Sequence, residues 1–105
     1  MSWEHSDGRV TFDFNRSFDE QLDRLKSKKG GKFRRGSQNY FVLRALFYGH
    51  TIDDYKQRPL DNLGHPINNV RTRVAQLKNE WGVAICSRTS PHGKYKEYKI
   101  GGRDE

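Results

Sequence analysis

The sequence predicts a mainly helical α+β domain: three helices, then a two-stranded hairpin, with a short strand and helix ahead of them. Three observations carry this. Between residues 66 and 81, Ile67, Val70, Val74, Leu77 and Trp81 recur at steps of three and four, so they fall on one side of a helix. Upstream, Tyr40, Phe41, Leu43, Leu46 and Phe47 supply a second, strongly apolar helix. After Trp81 and Gly82 the period drops to two. Val83 and Ile85 alternate with small residues there, and Tyr98 and Ile100 share a face on a return strand.

Composition narrows the reading. A chain of 105 residues supports one small domain. With 32% hydrophobic residues and a mean hydropathy of −1.06, its core must be small, and the 12% aromatic content must fill much of it. Twenty Lys and Arg against thirteen Asp and Glu give a net charge of +7 and a pI near 9.8. That balance points to a polyanionic partner, nucleic acid before an anionic membrane. The lone Cys86 excludes an intrachain disulfide and suits a reducing compartment. No apolar run approaches the roughly 20 residues that span a bilayer. The first residues, Met-Ser-Trp-Glu-His-Ser-Asp, carry no signal-peptide core. The expectation is a cytoplasmic protein with no membrane association.

Residues 1–36 form an extension. Val10 to Phe14 alternate apolar and polar, as a short strand does. Ser17 with Glu20 fits a capping box, and Phe18, Leu22 and Leu25 then share a helical face. That helix should end near Lys28, where cations and glycines follow. Residues 30–36 read as a flexible basic linker, or as an arm along phosphates.

The main unit runs from 37 to 100, with 101–105 as a tail. Ser37 caps the first helix and Gly49 stops it. Thr51 caps a short second helix, with Asp53 and Asp54 in its first turn and Ile52 and Tyr55 facing inward. Pro59 pushes Arg58 out of the helical region and ends it. Leu60 and Leu63 pack in the connection, Gly64 turns the chain, and Pro66 opens the third helix. Three helices with short connections give a helix-turn-helix unit. Residues 90–93 (Ser-Pro-His-Gly) are turn chemistry between two strands, which makes the hairpin a wing.

Residues 49–54 (Gly-His-Thr-Ile-Asp-Asp), 60–64 (Leu-Asp-Asn-Leu-Gly), 69–85 and the ending Tyr98-Lys99-Ile100 together resemble the small winged helix-turn-helix proteins of bacteriophages and prophages. The shared pattern is a Gly-x-x-Ile-Asp opening, an Arg-x-x-x-Leu-Lys helix, Gly-Val-x-Ile and a closing Tyr-x-Ile. The order of these elements, over residues 37–100, carries the resemblance. It implies a winged helix-turn-helix fold, with three helices plus a two-stranded wing, and a tendency to bind DNA. It also implies the host cytoplasm if the chain is phage-encoded. The connection from Lys56 to His65 is longer than the tight turn of that pattern.

The third helix carries the chemistry. Opposite its apolar stripe lie Asn68, Thr72, Gln76 and Asn79, flanked by Asn69, Arg71 and Arg73. Amphipathic helices usually show Lys and Glu to water. Amides, a hydroxyl and guanidinium groups instead suit paired hydrogen bonds to base edges and phosphates. Asn is a poor helix former, costing a few tenths of a kcal/mol (~0.5) per residue. At the start of a recognition helix that cost has a reason, since Asn pairs with adenine and Arg with guanine.

The expected DNA contacts are therefore Asn68, Asn69, Arg71, Thr72, Arg73 and Gln76 on this helix. The wing adds Arg88, His92, Lys94 and Lys96, and the linker arm adds Lys32, Arg34 and Arg35. If six to eight cations meet phosphates, affinity falls with a log–log salt slope of about −5 to −7. The partner is double-stranded DNA, and the role a transcriptional regulator or accessory DNA-binding protein.

Other chemistries are poorly supported. The histidines and Cys86 lack metal-ligand spacing, so no metal or cofactor is expected. Glu97-Tyr98-Lys99, with Asp53, Asp54 and Asp61 upstream, has the residue types of a magnesium nuclease, but two strands are too few to hold one. No Ser-His or Cys-His pairing suggests a nucleophile, so no enzyme is expected. Two rivals remain: a module that inhibits or redirects a host protein, and a single-stranded nucleic-acid binder using Tyr48, Trp3 and Phe33 for stacking, though these three read first as core or linker anchors because they do not alternate with basic residues along one strand. The stripe of Phe18, Leu22 and Leu25 needs a cover, either the main unit or a second copy. A second copy would make a homodimer through residues 10–28, suited to palindromic sites.

Overall fold

The computed structural model describes residues 3–4, 8–28, 30–49, 52–53, 58–90, 93 and 95–101. Among them the chain forms an α+β fold with three α-helices and a three-stranded antiparallel sheet. The elements are α1 (Phe18–Gln21), α2 (Gln38–Gly49), β1 (Ile52–Asp53), α3 (Val70–Asn79), β2 (Ile85–Thr89) and β3 (Lys96–Ile100). Strand order is β1-β3-β2, with Ile52 opposite Tyr98 and Ile85 opposite Ile100. No helix among the described residues is long and apolar enough to cross a membrane.

α2 and α3 form where local signals are strongest. The Ser37 hydroxyl accepts the Tyr40 N–H at 3.2 Å, capping α2 as expected, and Gly49 is its last residue. α2 buries Val42, Leu43, Leu46 and Phe47, and α3 buries Val70, Val74 and Leu77. Gly82, at φ +69°, turns the chain out of α3, and the Val83 N–H reaches back to the Leu77 carbonyl at 3.0 Å.

The extension docks on its own domain. Phe18, Leu22 and Leu25 are buried in one cluster with Phe47, Val74 and Ile100, and the Phe18 and Phe47 ring centroids are 5.2 Å apart. Each such side chain contributes about 1.5–3 kcal/mol on burial. Of the two covers expected for the stripe, the main unit of the same chain supplies one. Gly8 shows how closely the extension approaches: a Cβ there would overlap the Val83 carbonyl. Val10 makes one parallel bridge to Val83 rather than a strand. Cys86 is buried, as a small apolar residue would be.

Long-range bonds correct several expectations. The first helix continues only as a 3-10 turn (Leu22–Arg24) and does not reach Lys28. There the Lys28 N–H bonds the Glu80 carbonyl at 3.1 Å, and Ser27 closes a loop with Gly31. A helix this short cannot outcompete such bonds. Ser17 makes no side-chain cap. Instead the buried Gln21 amide accepts the Asp13 N–H and donates to the carbonyls of Asp13 and Ser17.

Ile52 and Asp53 are a strand, not helix, because β3 pairs them. The hairpin is therefore two strands of a three-stranded sheet. Thr51 and the stretch 54–57, the rest of the expected second helix, lie outside the described residues. Pro66 does not open α3. It bridges Leu60, the Ile67 N–H bonds the Pro59 carbonyl at 2.9 Å, and α3 starts at Val70. Leu60 and Leu63 do not pack inward: they are 54% and 72% exposed.

Between them Asp61 holds a tight loop, its carboxylate accepting the N–H groups of Leu63 and His65 at 2.8 and 2.9 Å. These backbone donors, His65 first, lower the Asp61 pKa from its usual value.

Candidate nucleic-acid interface

α3 turns Val70, Val74 and Leu77 into the core, which leaves Arg71, Thr72, Ala75 and Asn79 on the outside. Asn69 is exposed at the helix start, with no side-chain capping bond. Asn68 lies before the helix, where its Oδ1 accepts from Arg58 Nη1 at 3.1 Å. Gln76 turns sideways toward α2, and Arg73 bonds it along α3. Gln76 Oε1 accepts from Arg73 Nη1 at 3.1 Å and from Asn39 Nδ2 at 3.2 Å. Of the six residues expected on this surface, Asn69, Arg71 and Thr72 are exposed, while Asn68, Arg73 and Gln76 bond within the fold and Arg71 too has an interaction partner.

Two described cations of the hairpin, Arg88 and Lys99, are also engaged. Arg88 Nε donates to Glu97 Oε1 at 3.3 Å, and its guanidinium lies 4.3 Å from the Trp3 ring centroid. Lys99 Nζ lies 4.8 Å from the same centroid. Lys96 is half-buried. The connecting turn closes through the Gly93 N–H on the Ser90 carbonyl and the Ser90 N–H on the Tyr95 carbonyl, both at 2.9 Å. His92 and Lys94, expected at its tip, lie outside the described residues.

Two side chains anchor the linker, besides the backbone bonds of its first residues. Phe33 is buried, its ring edge-on to Trp81 with centroids 4.9 Å apart. Arg35 donates to the Asp19 carbonyl at 2.8 Å and pairs with the Asp19 and Asp23 carboxylates at 3.6 and 3.5 Å. Asp19 also accepts the Tyr40 hydroxyl at 3.0 Å. Burial first, and this carboxylate second, raise the Tyr40 pKa above the usual tyrosine value. Lys32 and Arg34 are exposed, and neither meets a carboxylate among the described residues.

Glu97 and Lys99, the residue types that suggested a nuclease, sit on β3 with Glu97 opposite Asp53. Arg88 holds the one and Trp3 covers the other. Among the described residues no three His, Cys, Asp or Glu side chains converge on a metal position. Sequence reasoning missed Asn39 as the link between α2 and α3, and Trp3 as the cover of two cations. An isolated Phe33 in a basic stretch was the one signal that the linker had an anchor. No family model matches the chain, and no curated protein or solved structure matches it.

Proposed function

We propose that this chain binds double-stranded DNA, as a small winged helix-turn-helix regulator or accessory protein of the phage type. Asn69, Arg71 and Thr72 of the α3 surface would read the major groove. The observation that carries the reading is α3 itself. It buries an apolar stripe, offers an amide, a guanidinium and a hydroxyl on the other side, and leads directly into the β2–β3 hairpin. The net charge of +7 supports it. Lys32 and Arg34, beside Glu80 and Trp81 at the far end of α3, supply phosphate contacts, and Lys96 a weaker one on the hairpin. The connection into α3 is the Asp61 loop rather than a tight turn, which sets the chain apart from the compact form of the motif.

Fluorescence anisotropy with matched duplex and single-stranded oligonucleotides, over a range of salt, tests this. Duplex should be preferred. With Arg35 and Arg88 held in the fold, the salt slope should be about −4 to −5, shallower than composition alone suggests. Preference for single strands would transfer the reading to that class. Weak binding to both, insensitive to salt, would overturn it.

A second reading, a module that binds a host protein, is favoured by a different surface. Tyr48 is 58% exposed, and with Leu60, Phe41, Arg44 and Ala45 it lines an open hollow of about 330 Å³. Salt-insensitive behaviour toward DNA is the outcome that would favour this reading.

A further inference from the structure

A second hollow, of about 270 Å³, lies between segment 27–34, the start of α2 and the residues just after α3. Lys32 and Arg34 line it, both exposed and without a carboxylate partner among the described residues. Ser37 and Asn39 bring the first turn of α2 to its wall. The first N–H groups of a helix lack acceptors within it, and the dipole is positive at that end. No acid occupies the first turn of α2 to offset this. Ser37 takes the Tyr40 N–H, which leaves those of Gln38 and Asn39 with no protein acceptor among the described residues.

Trp81 completes the wall. It is only 9% exposed, and its indole N–H has no acceptor among the described residues. Buried donors in folded proteins are nearly always paired, so this one calls for an oxygen from outside the chain. Against two cations, the Asn39 N–H and the indole, the wall sets one carboxylate, Glu80, and one unpartnered buried acceptor, Asn39 Oδ1. Donors and positive charge dominate.

We propose that this hollow seats one phosphate group, with Lys32 and Arg34 supplying charge and the α2 N-terminus and Trp81 supplying directed donors. The assignment deepens the DNA reading and rests on it for the source of the phosphate. Asn39 lines the hollow and bonds Gln76 of α3, so a backbone phosphate flanking α3 lies within reach.

Proton–nitrogen NMR of the full-length protein follows the Trp81 indole N–H directly, with Trp3→Phe serving only to assign the two indole signals. Inorganic phosphate and a short duplex are titrated separately. The duplex should move the Trp81 signal. The Lys32→Ala/Arg34→Ala double variant, altered at exposed positions, should lose that movement. It should also bind duplex about tenfold more weakly, with a salt slope smaller by about two. Glu80→Gln, which removes the opposing carboxylate, should tighten binding.

Movement with phosphate alone would support the seat and count against the DNA reading. Movement with the duplex alone would assign the seat to backbone phosphates, and movement with both would assign it to phosphate from either source. A Trp81 signal unmoved by either ligand, while the duplex shifts the α3 amides, would overturn the seat and leave the DNA reading standing.

Discussion

In the β2–β3 hairpin, Arg88 is held by Glu97 at 3.3 Å and both Arg88 and Lys99 lie against Trp3. In segment 30–36 only Arg35 is held, by Asp19 and Asp23, while Lys32 and Arg34 meet no carboxylate among the described residues. Two basic stretches of similar composition thus differ in how much charge they can offer a partner. A cation that already has a partner must give up that contact before it meets a phosphate, so counting charges overstates binding. Anchoring separates them too. The linker is pinned by Phe33 on Trp81, and that anchor holds its available cations in place.

The anchor should give the largest effect. Phe33 is 8% exposed, and Phe33→Ala removes the ring packed against Trp81. The expected loss is about 3–5 kcal/mol of stability, read from the denaturant midpoint. A flexible tether would lose almost nothing, and such a result would erase the contrast. Next comes binding. Lys32→Ala/Arg34→Ala should weaken duplex affinity about tenfold, and Arg88→Ala/Lys96→Ala less than about threefold. Equal losses would mean that Glu97 and Trp3 do not hold the hairpin cations back.

Smaller still is the stability cost of Arg88→Ala. Its side chain is 31% exposed, so the pair with Glu97 contributes about 1 kcal/mol or less, measurable by thermal unfolding. A loss of several kcal/mol would make Arg88 a structural residue first. The smallest effect concerns pH. Asp61 has a lowered folded-state pKa, so its contribution is present above the ordinary Asp value and lost as pH falls through the lowered one. The Leu63 and His65 amide signals should titrate together, with a midpoint below that of ordinary Asp. A midpoint at or above it would show that the Asp61 loop does not close in solution.

What was legible in the sequence was local. The Ser37 cap, the Gly49 stop, the apolar stripe of α3 and the shared buried face of Tyr98 and Ile100 on β3 depend on residues a few positions apart. What was not legible depends on partners far along the chain. Ile52 and Asp53 are a strand only because β3 lies beside them. α1 ends early where the Lys28 N–H finds the Glu80 carbonyl, and α3 starts late where residues 59–67 close on themselves. The same holds for the candidate site. Helical periodicity puts Thr72 and Asn79 opposite the stripe with Asn69 and Arg71 on its flanks, and all four are exposed. The capture of Gln76 by Asn39, of Arg35 by Asp19 and of Arg88 by Glu97 could not be read that way, because each joins separate elements.

Duplex DNA on the exposed face of α3, the contact proposed above, would leave its mark in a map of amide NMR shifts recorded as the duplex is added. The shifts should concentrate at Asn69, Arg71, Thr72 and Ala75, extend to residues 32–39, and leave Leu63 and Tyr48 unmoved. Shifts confined to Tyr48, Leu60 and Leu63, or none at duplex concentrations of about 1 mM, where even very weak binding is populated, would contradict it.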